Sequence, residues 1–268
     1  MKGVSMKQLI FCILAFFFYF PVFAQEIPTL SADAALLMDA DSGSILYEKN
    51  GAKREYPASM TKMMTCILAL EKGDPYHMIT VSHHAAQVES TELYGGEWIR
   101  LSDLTYQMML ISDNGAATAI AETIGGSVTA FAAMMNEKAK ALGCQDTHFV
   151  NANGMPDENH YSTAEDMAKI ARYGLQNQKF RDIVATKSKQ VHYENPRQNL
   201  HCWNTNELLY TYPGCIGIKT GYTHAAGGCL TAAATRNGKT LLVIIMHAKD
   251  HDARFTEAAA LLDYGFGM

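Results

Sequence analysis

Three short clusters of polar residues could together do covalent chemistry: Ser59-Met60-Thr61-Lys62, Ser112-Asp113-Asn114 and Lys219-Thr220-Gly221. A serine hydroxyl is a weak nucleophile until a neighbouring group takes its proton. Residues i and i+3 share one face of a helix, so Lys62 falls one turn from Ser59. A lysine amine can act as that base only if its pKa falls from about 10.4 toward neutrality. Burial and a second cation have that effect, and Lys219 is a candidate for the cation. Free backbone N–H groups at a helix start also favour negative charge developing beside Ser59. In the second cluster, Ser112 can relay a proton toward a leaving group and Asn114 can hydrogen-bond a substrate amide. In the third, Lys219 and the Thr220 hydroxyl can hold a carboxylate, and Gly221 removes bulk where substrate passes. Each cluster alone has a plainer reading as a helix cap or a turn with a solvated lysine. The set, its order and its placement carry the argument.

The surrounding pattern supplies elements to position these groups. Ala34–Asp39 and Ser44–Glu48 read as strands around the turn Ala40-Asp41-Ser42-Gly43. Tyr56-Pro57-Ala58 leads into a helix over Ser59–Glu71, and Ile79–Val81 and Glu97–Leu101 read as short strands. Ser102 or Asp103 is expected to cap a helix ending near Ile111, which leaves Ser112-Asp113-Asn114 in a loop before the next helix, Ala116–Ile124. Val128–Leu142 and Ser162–Leu175 are further helices. Gly217–Thr220, Gly228–Ala234 and Leu241–His247 read as strands, and Ala253–Tyr264 as a closing helix. The sequence therefore predicts an α/β (α+β) fold: an antiparallel sheet flanked by helices, with an inserted helical lobe.

Composition limits the alternatives. Hydrophobic residues are 48% and charged residues 18% of the 268, enough apolar surface to exclude a mainly disordered chain. Lys2 and Lys7 precede residue 25, so the remainder carries 20 basic and 27 acidic residues, net −7. Such a chain is poorly suited to nucleic acid or to anionic membranes. Lys2 and Lys7 flank an apolar run from Leu9 to Phe20, and Pro21-Val22-Phe23-Ala24 follows. A 12-residue run is short for a span but suits an export signal cleaved after Ala24. An uncleaved N-terminal anchor is the alternative, and either places residues 25–268 outside the cytoplasmic membrane, in the cell wall, periplasm or medium. The exported part has five scattered cysteines, not a disulfide scaffold, and whether Cys202 and Cys215 pair is open. There is no C-x-x-C or H-E-x-x-H pattern, and the paired His83-His84 stands alone, so no metal is expected.

The three clusters match the set characteristic of class A β-lactamases and penicillin-binding proteins. A wider set of segments resembles the low-molecular-mass serine D-Ala-D-Ala carboxypeptidases. These are Tyr56–Lys62, His148–Asn151 with Gly154–Asp157, Asn159–Ala164, Asn204-Thr205-Asn206, Pro213-Gly214, Gly217–Thr223, and the ending Arg254-Phe255 through Leu261–Phe266. The resemblance covers about Ala34 to Phe266 and implies a β-lactamase/transpeptidase-like fold. It implies that Ser59 attacks the carbonyl of the penultimate D-alanine of a peptidoglycan stem peptide, that Lys62 is the base, and that Ser112 relays the proton to the leaving amine. Asn114 would hold the substrate backbone. Lys219 and Thr220 would bind the terminal carboxylate, helped by Arg254, with Gly221 beside them. The N–H groups of Ser59 and Tyr222 would form the oxyanion hole. Penicillin and other β-lactams would acylate the same serine, and no cofactor is implied. Many relatives continue into a β-rich domain and a membrane-binding helix. This chain stops at Met268, so residues 25–268 are expected as one two-lobed catalytic domain, a monomer without a C-terminal anchor.

The nearest rival is a class A β-lactamase, but its E-x-x-L-N glutamate pattern is missing between Asn114 and Lys219. A non-catalytic wall-binding module would usually lack Ser59 or Lys62, and both are present. An unrelated exported hydrolase loses support from the absence of a G-x-S-x-G elbow.

Overall fold

The computed structural model describes residues 26–268, so the expected export signal lies outside the described residues. In chain order the elements are β1 (Ala34–Asp39), β2 (Ile45–Lys49), α1 (Lys62–Lys72), β3 (Met78–Thr80), β4 (Trp98–Arg100), α2 (Leu101–Leu110), α3 (Asn114–Gly125), α4 (Val128–Ala141), α5 (Ala164–Leu175) and α6 (Gln178–Ala185). There follow β5 (Ser188–Asn195), β6 (Arg197–Trp203), α7 (Leu208–Thr211), β7 (Cys215–Thr223), β8 (Gly227–Arg236), β9 (Lys239–Ala248) and α8 (Ala253–Gly267). Among the described residues, no single helix is long and apolar enough to cross a membrane.

The main sheet is five-stranded and antiparallel, in the order β2-β1-β9-β8-β7. Its central strand β9 reads Leu-Leu-Val-Ile-Ile-Met without polar interruption because both faces are covered. Leu242, Ile244 and Met246 face the larger core shared with the helical lobe, whereas Leu241, Val243 and Ile245 face α8. That is the period-2 alternation of a strand between two cores. β7 forms one edge of the sheet. The helical lobe is built around α1, whose residues Lys62 to Ala69 are all buried. A four-stranded sheet, β3-β4-β5-β6, flanks that lobe.

The antiparallel sheet, the helical lobe and the closing helix agree with the sequence expectation. Two details differ. α2 begins at Leu101 with Arg100 at its N-cap and no side-chain capping bond, rather than with a cap from Ser102 or Asp103. Strand β4 runs straight into the helix there, and the carbonyls of His77 and Pro75 accept from the N–H groups of Leu101 and Ser102 at 2.9 and 3.1 Å. The β5–β6 hairpin, α6 and α7 were not anticipated. The hairpin does alternate, with Val191, Tyr193 and Cys202 buried between exposed neighbours. Few of its residues are apolar, which hides the pattern.

Candidate active site

Ser59 lies in a 3₁₀ turn, Ala58–Thr61, which passes directly into α1 at Lys62. In a 3₁₀ turn residues i and i+3 eclipse, which brings Lys62 closer beneath Ser59 than an α-helix would. Two glycines let other backbones approach this turn. A Cβ on Gly154, at φ +89°, would sit 1.9 Å from the Ala58 carbonyl oxygen, and one on Gly221 would sit 3.1 Å from the Ser59 nitrogen. Ala58, Ser90 and Ser112 occupy the left-handed region at φ 47°, 59° and 65°. Ser90 and Ser112 line the cleft and Ala58 precedes Ser59, so three of the six non-glycine residues with positive φ among the described residues lie at the site.

Lys62 is fully buried. Its Nζ lies 2.9 Å from Ser59 Oγ, 2.7 Å from Asn114 Oδ1 and 2.7 Å from the Asn153 carbonyl oxygen. Burial pulls its pKa down from 10.5 to about 7, against the opposing charge of Asp113. The amide of Asn114 cannot be turned round, because its Nδ2 donates to the Glu89 carbonyl at 2.8 Å. Asn114 Oδ1 and the Asn153 carbonyl only accept hydrogen bonds. A neutral amine has two N–H donors and one lone pair. The two acceptors use both donors, and the lone pair is left facing the Ser59 hydroxyl. The geometry can therefore take the serine proton.

The second cluster is fixed by Asp113. It caps α3 by accepting from the Ala116 N–H at 2.8 Å, and it also accepts from Thr91 Oγ1, the Glu92 N–H and Gln107 Nε2. This carboxylate anchors the loop that carries Glu89 and Ser90 to the site wall, and the Asn114 N–H donates to the Ser90 carbonyl at 3.1 Å. Asn114 opens α3, so its side chain reaches Lys62.

The third cluster lies on β7. Lys219 is buried, and its one hydrogen bond among the described residues goes to the Thr220 carbonyl at 3.0 Å. Burial, Lys62 and Arg254 together hold its pKa well below the usual lysine range. Thr220 Oγ1 lies 2.7 Å from Thr205 Oγ1. Arg254, on α8, is also buried. It donates to the Gly221 carbonyl at 2.7 Å, and burial lowers its pKa.

Ser59, Ser112, Asn114, Thr220, Gly221 and Arg254 share the wall of one cavity of about 240 Å³, with Tyr222 half-exposed at its rim. Lys62 and Lys219 lie buried beside it. The structure thus brings together every residue singled out from the sequence. A larger cavity of about 350 Å³, lined by Leu70, Leu101 and Tyr106, contains none of them. Sequence reasoning missed Asn153, Gly154, Thr205 and His251. Of these, Gly154 and Thr205 fall within segments already quoted for the family resemblance.

Among the described residues, Asp33, Glu55 and His247 place three ligand atoms within 4.8 Å of one another. The Lys53 ammonium bridges the two carboxylates at 2.8 and 2.6 Å and offsets one of their two charges. The five described cysteines are all free, so Cys202 and Cys215 are not paired.

The profile of the D-alanyl-D-alanine carboxypeptidase family matches residues 22–250. The chain belongs to this family. A family relative from Bacillus subtilis, D-alanyl-D-alanine carboxypeptidase DacF, is 35% identical over 244 residues. The match takes in 88% of this chain and 62% of that protein, so the chain spans about three fifths of that relative. The D-alanyl-D-alanine carboxypeptidase of Streptomyces sp. strain K15 is 32% identical over 269 residues, 92% of this chain and 91% of that one. The crystal structure of the Streptomyces K15 DD-transpeptidase superposes with a TM-score of 0.86 at 30% identity, covering 91% of this chain and all of that one. The carboxypeptidase DacD of Francisella tularensis gives a TM-score of 0.83 at 28% identity, over 98% of this chain and 74% of that one. The fold of the family is therefore that of a penicillin-recognising serine enzyme.

Proposed function

We propose that this family member is a serine D-Ala-D-Ala carboxypeptidase that removes the terminal D-alanine of peptidoglycan stem peptides through a Ser59 ester. The observation that carries the reading is the Lys62 amine, whose two acceptor partners leave its lone pair for Ser59. Ser59 Oγ attacks the carbonyl carbon of the penultimate D-alanine as its proton passes to Lys62 Nζ. The N–H groups of Ser59 and Tyr222 stabilise the oxyanion. The C–N bond then breaks. Ser112 delivers the proton to the departing amine, D-alanine leaves, and water hydrolyses the ester. Lys219 sets the local field and, with Thr220 and Arg254, holds the terminal carboxylate. Asn114 holds Lys62, and its amide borders the path of the substrate backbone.

The two lobes act as one catalytic unit with the cleft between β7 and the loop before α3. Penicillin carries a matching carboxylate and acyl carbon, so it acylates Ser59 as well. A wall substrate places the enzyme outside the cytoplasmic membrane, in keeping with the expected export signal. The test is paired: D-alanine release from a peptide ending in D-Ala-D-Ala, and intact mass after brief exposure to benzylpenicillin followed by washout. Release together with an adduct that lasts minutes supports the reading. An adduct lost at once points to a β-lactamase, and neither release nor adduct from folded protein overturns it.

A further inference from the structure

We propose that His251 is a positioning residue: it fixes the Arg254 guanidinium as the carboxylate anchor and makes that anchor sensitive to protons. The inference rests on the carboxypeptidase reading above and deepens it.

Arg254 is 2% exposed and carries a guanidinium with five N–H donors and no acceptor. Two of its nitrogens have partners: Nη1 donates to the Gly221 carbonyl at 2.7 Å, and Nη2 lies 2.6 Å from His251 Nε2. Nε is buried without a partner. A buried cation so sparsely satisfied is costly unless an anion enters, and its neighbours line the cleft that contains Ser59. Because arginine only donates, His251 Nε2 must accept, which puts the imidazole proton on Nδ1. That nitrogen faces Asp252 Oδ1 at 3.4 Å. The His251 ring is held between Tyr222 and Phe255, each with its centroid 6.1 Å away. A neutral His251 therefore restrains one end of the guanidinium while Gly221 restrains the other.

A protonated His251 cannot do this. Its Nε2 would carry a hydrogen facing an Arg254 N–H, and two positive charges would meet across 2.6 Å. The pair must separate, and the anchor loses its fixed direction. The groups facing the pair do not cancel this effect. Lys219 on β7 is a basic group and brings no negative charge, the Cys229 thiol on β8 is neutral with its pKa pushed up by burial, and Glu207 and Asp252 supply the acidic charge. Asp252 is largely exposed, so solvent screens it.

The test is steady-state release of D-alanine from a D-Ala-D-Ala peptide between pH 5.5 and 8, with KM and kcat resolved. The wild type should show KM rising as pH falls. In His251→Gln an amide oxygen can accept from Arg254 without titrating, so KM should stay within about threefold of its pH 8 value throughout. His251→Phe keeps the ring packing but removes the acceptor, so KM should be about tenfold higher at every pH and no longer vary with it. An ester or amide analogue without the terminal carboxylate should be insensitive to all three proteins. A wild-type pH dependence of KM that survives in His251→Gln overturns the proposal, as does a His251→Phe enzyme with wild-type KM. Failure of the wild type to release D-alanine at all would instead overturn the carboxypeptidase reading.

Discussion

Lys62 and Lys219 are both fully buried lysines in one cleft, and burial lowers the pKa of both, yet their surroundings differ in kind. Lys62 touches a hydroxyl and two acceptors that consume its N–H groups. Lys219 touches one carbonyl and lies within the influence of two further basic groups, the Lys62 amine and the Arg254 guanidinium. The first region is complete without substrate and is arranged for proton transfer. The second is incomplete, an electropositive pocket with donors to spare. Burial alone thus does not assign a role to a lysine. The partners do: saturated acceptors make a base, and missing ones make an anion site.

The comparison can be broken at either end. Ser59→Ala should remove both the penicillin adduct and D-alanine release, because the bond that links the two regions to chemistry no longer forms. Retained turnover of the peptide would remove the mechanism. Lys62→Ala should slow acylation by ~10²–10⁴-fold, the usual cost of a lost general base. In the wild type the neutral amine is the active form, so acylation should rise with pH through about 7 and level off above it. Below that point it should fall about tenfold per pH unit, and a stopped-flow or quench series in the wild type and Lys62→Ala would read this directly.

Changes on the carboxylate side should act on binding. Lys219→Ala should lower kcat/KM for peptides with a free C-terminal carboxylate by ~10–100-fold, as for one charged hydrogen bond. An analogue without the carboxylate should be affected far less, and equal losses on both would mean that Lys219 acts on chemistry alone. The smallest effect is expected at Thr205, whose hydroxyl lies against Thr220 Oγ1 at 2.7 Å. Thr205→Val should cost about 1 kcal/mol, or roughly fivefold in KM, since one neutral hydrogen bond is removed.

The first two clusters were legible because each sits at an element boundary that the sequence marks, a proline before Ser59 and a loop before Asn114, whereas Lys219-Thr220-Gly221 lies inside β7 and was legible from its own residue types. The main sheet was legible from its apolar runs, and β1 was bounded as found, Ala34–Asp39. Asn153 and His251 were not, for physical reasons. Asn153 acts through its main-chain carbonyl, and a carbonyl leaves no mark in residue type. His251 stands three residues before Arg254, and only the fold reveals that its ring turns back onto the guanidinium. The β5–β6 hairpin pairs through its backbone and exposes most of its side chains, so its hydrophobic signal is weak.

The central claim is that the buried Lys62 amine gives up its proton near neutral pH. The most direct measurement is the titration of lysine ε-carbons by NMR in protein labelled with ¹³C-lysine, with Lys62→Met and Lys219→Met used to assign the two buried side chains. The account predicts a Lys62 resonance that titrates with a midpoint near 7. A Lys62 resonance still in the protonated position at pH 9 would contradict it.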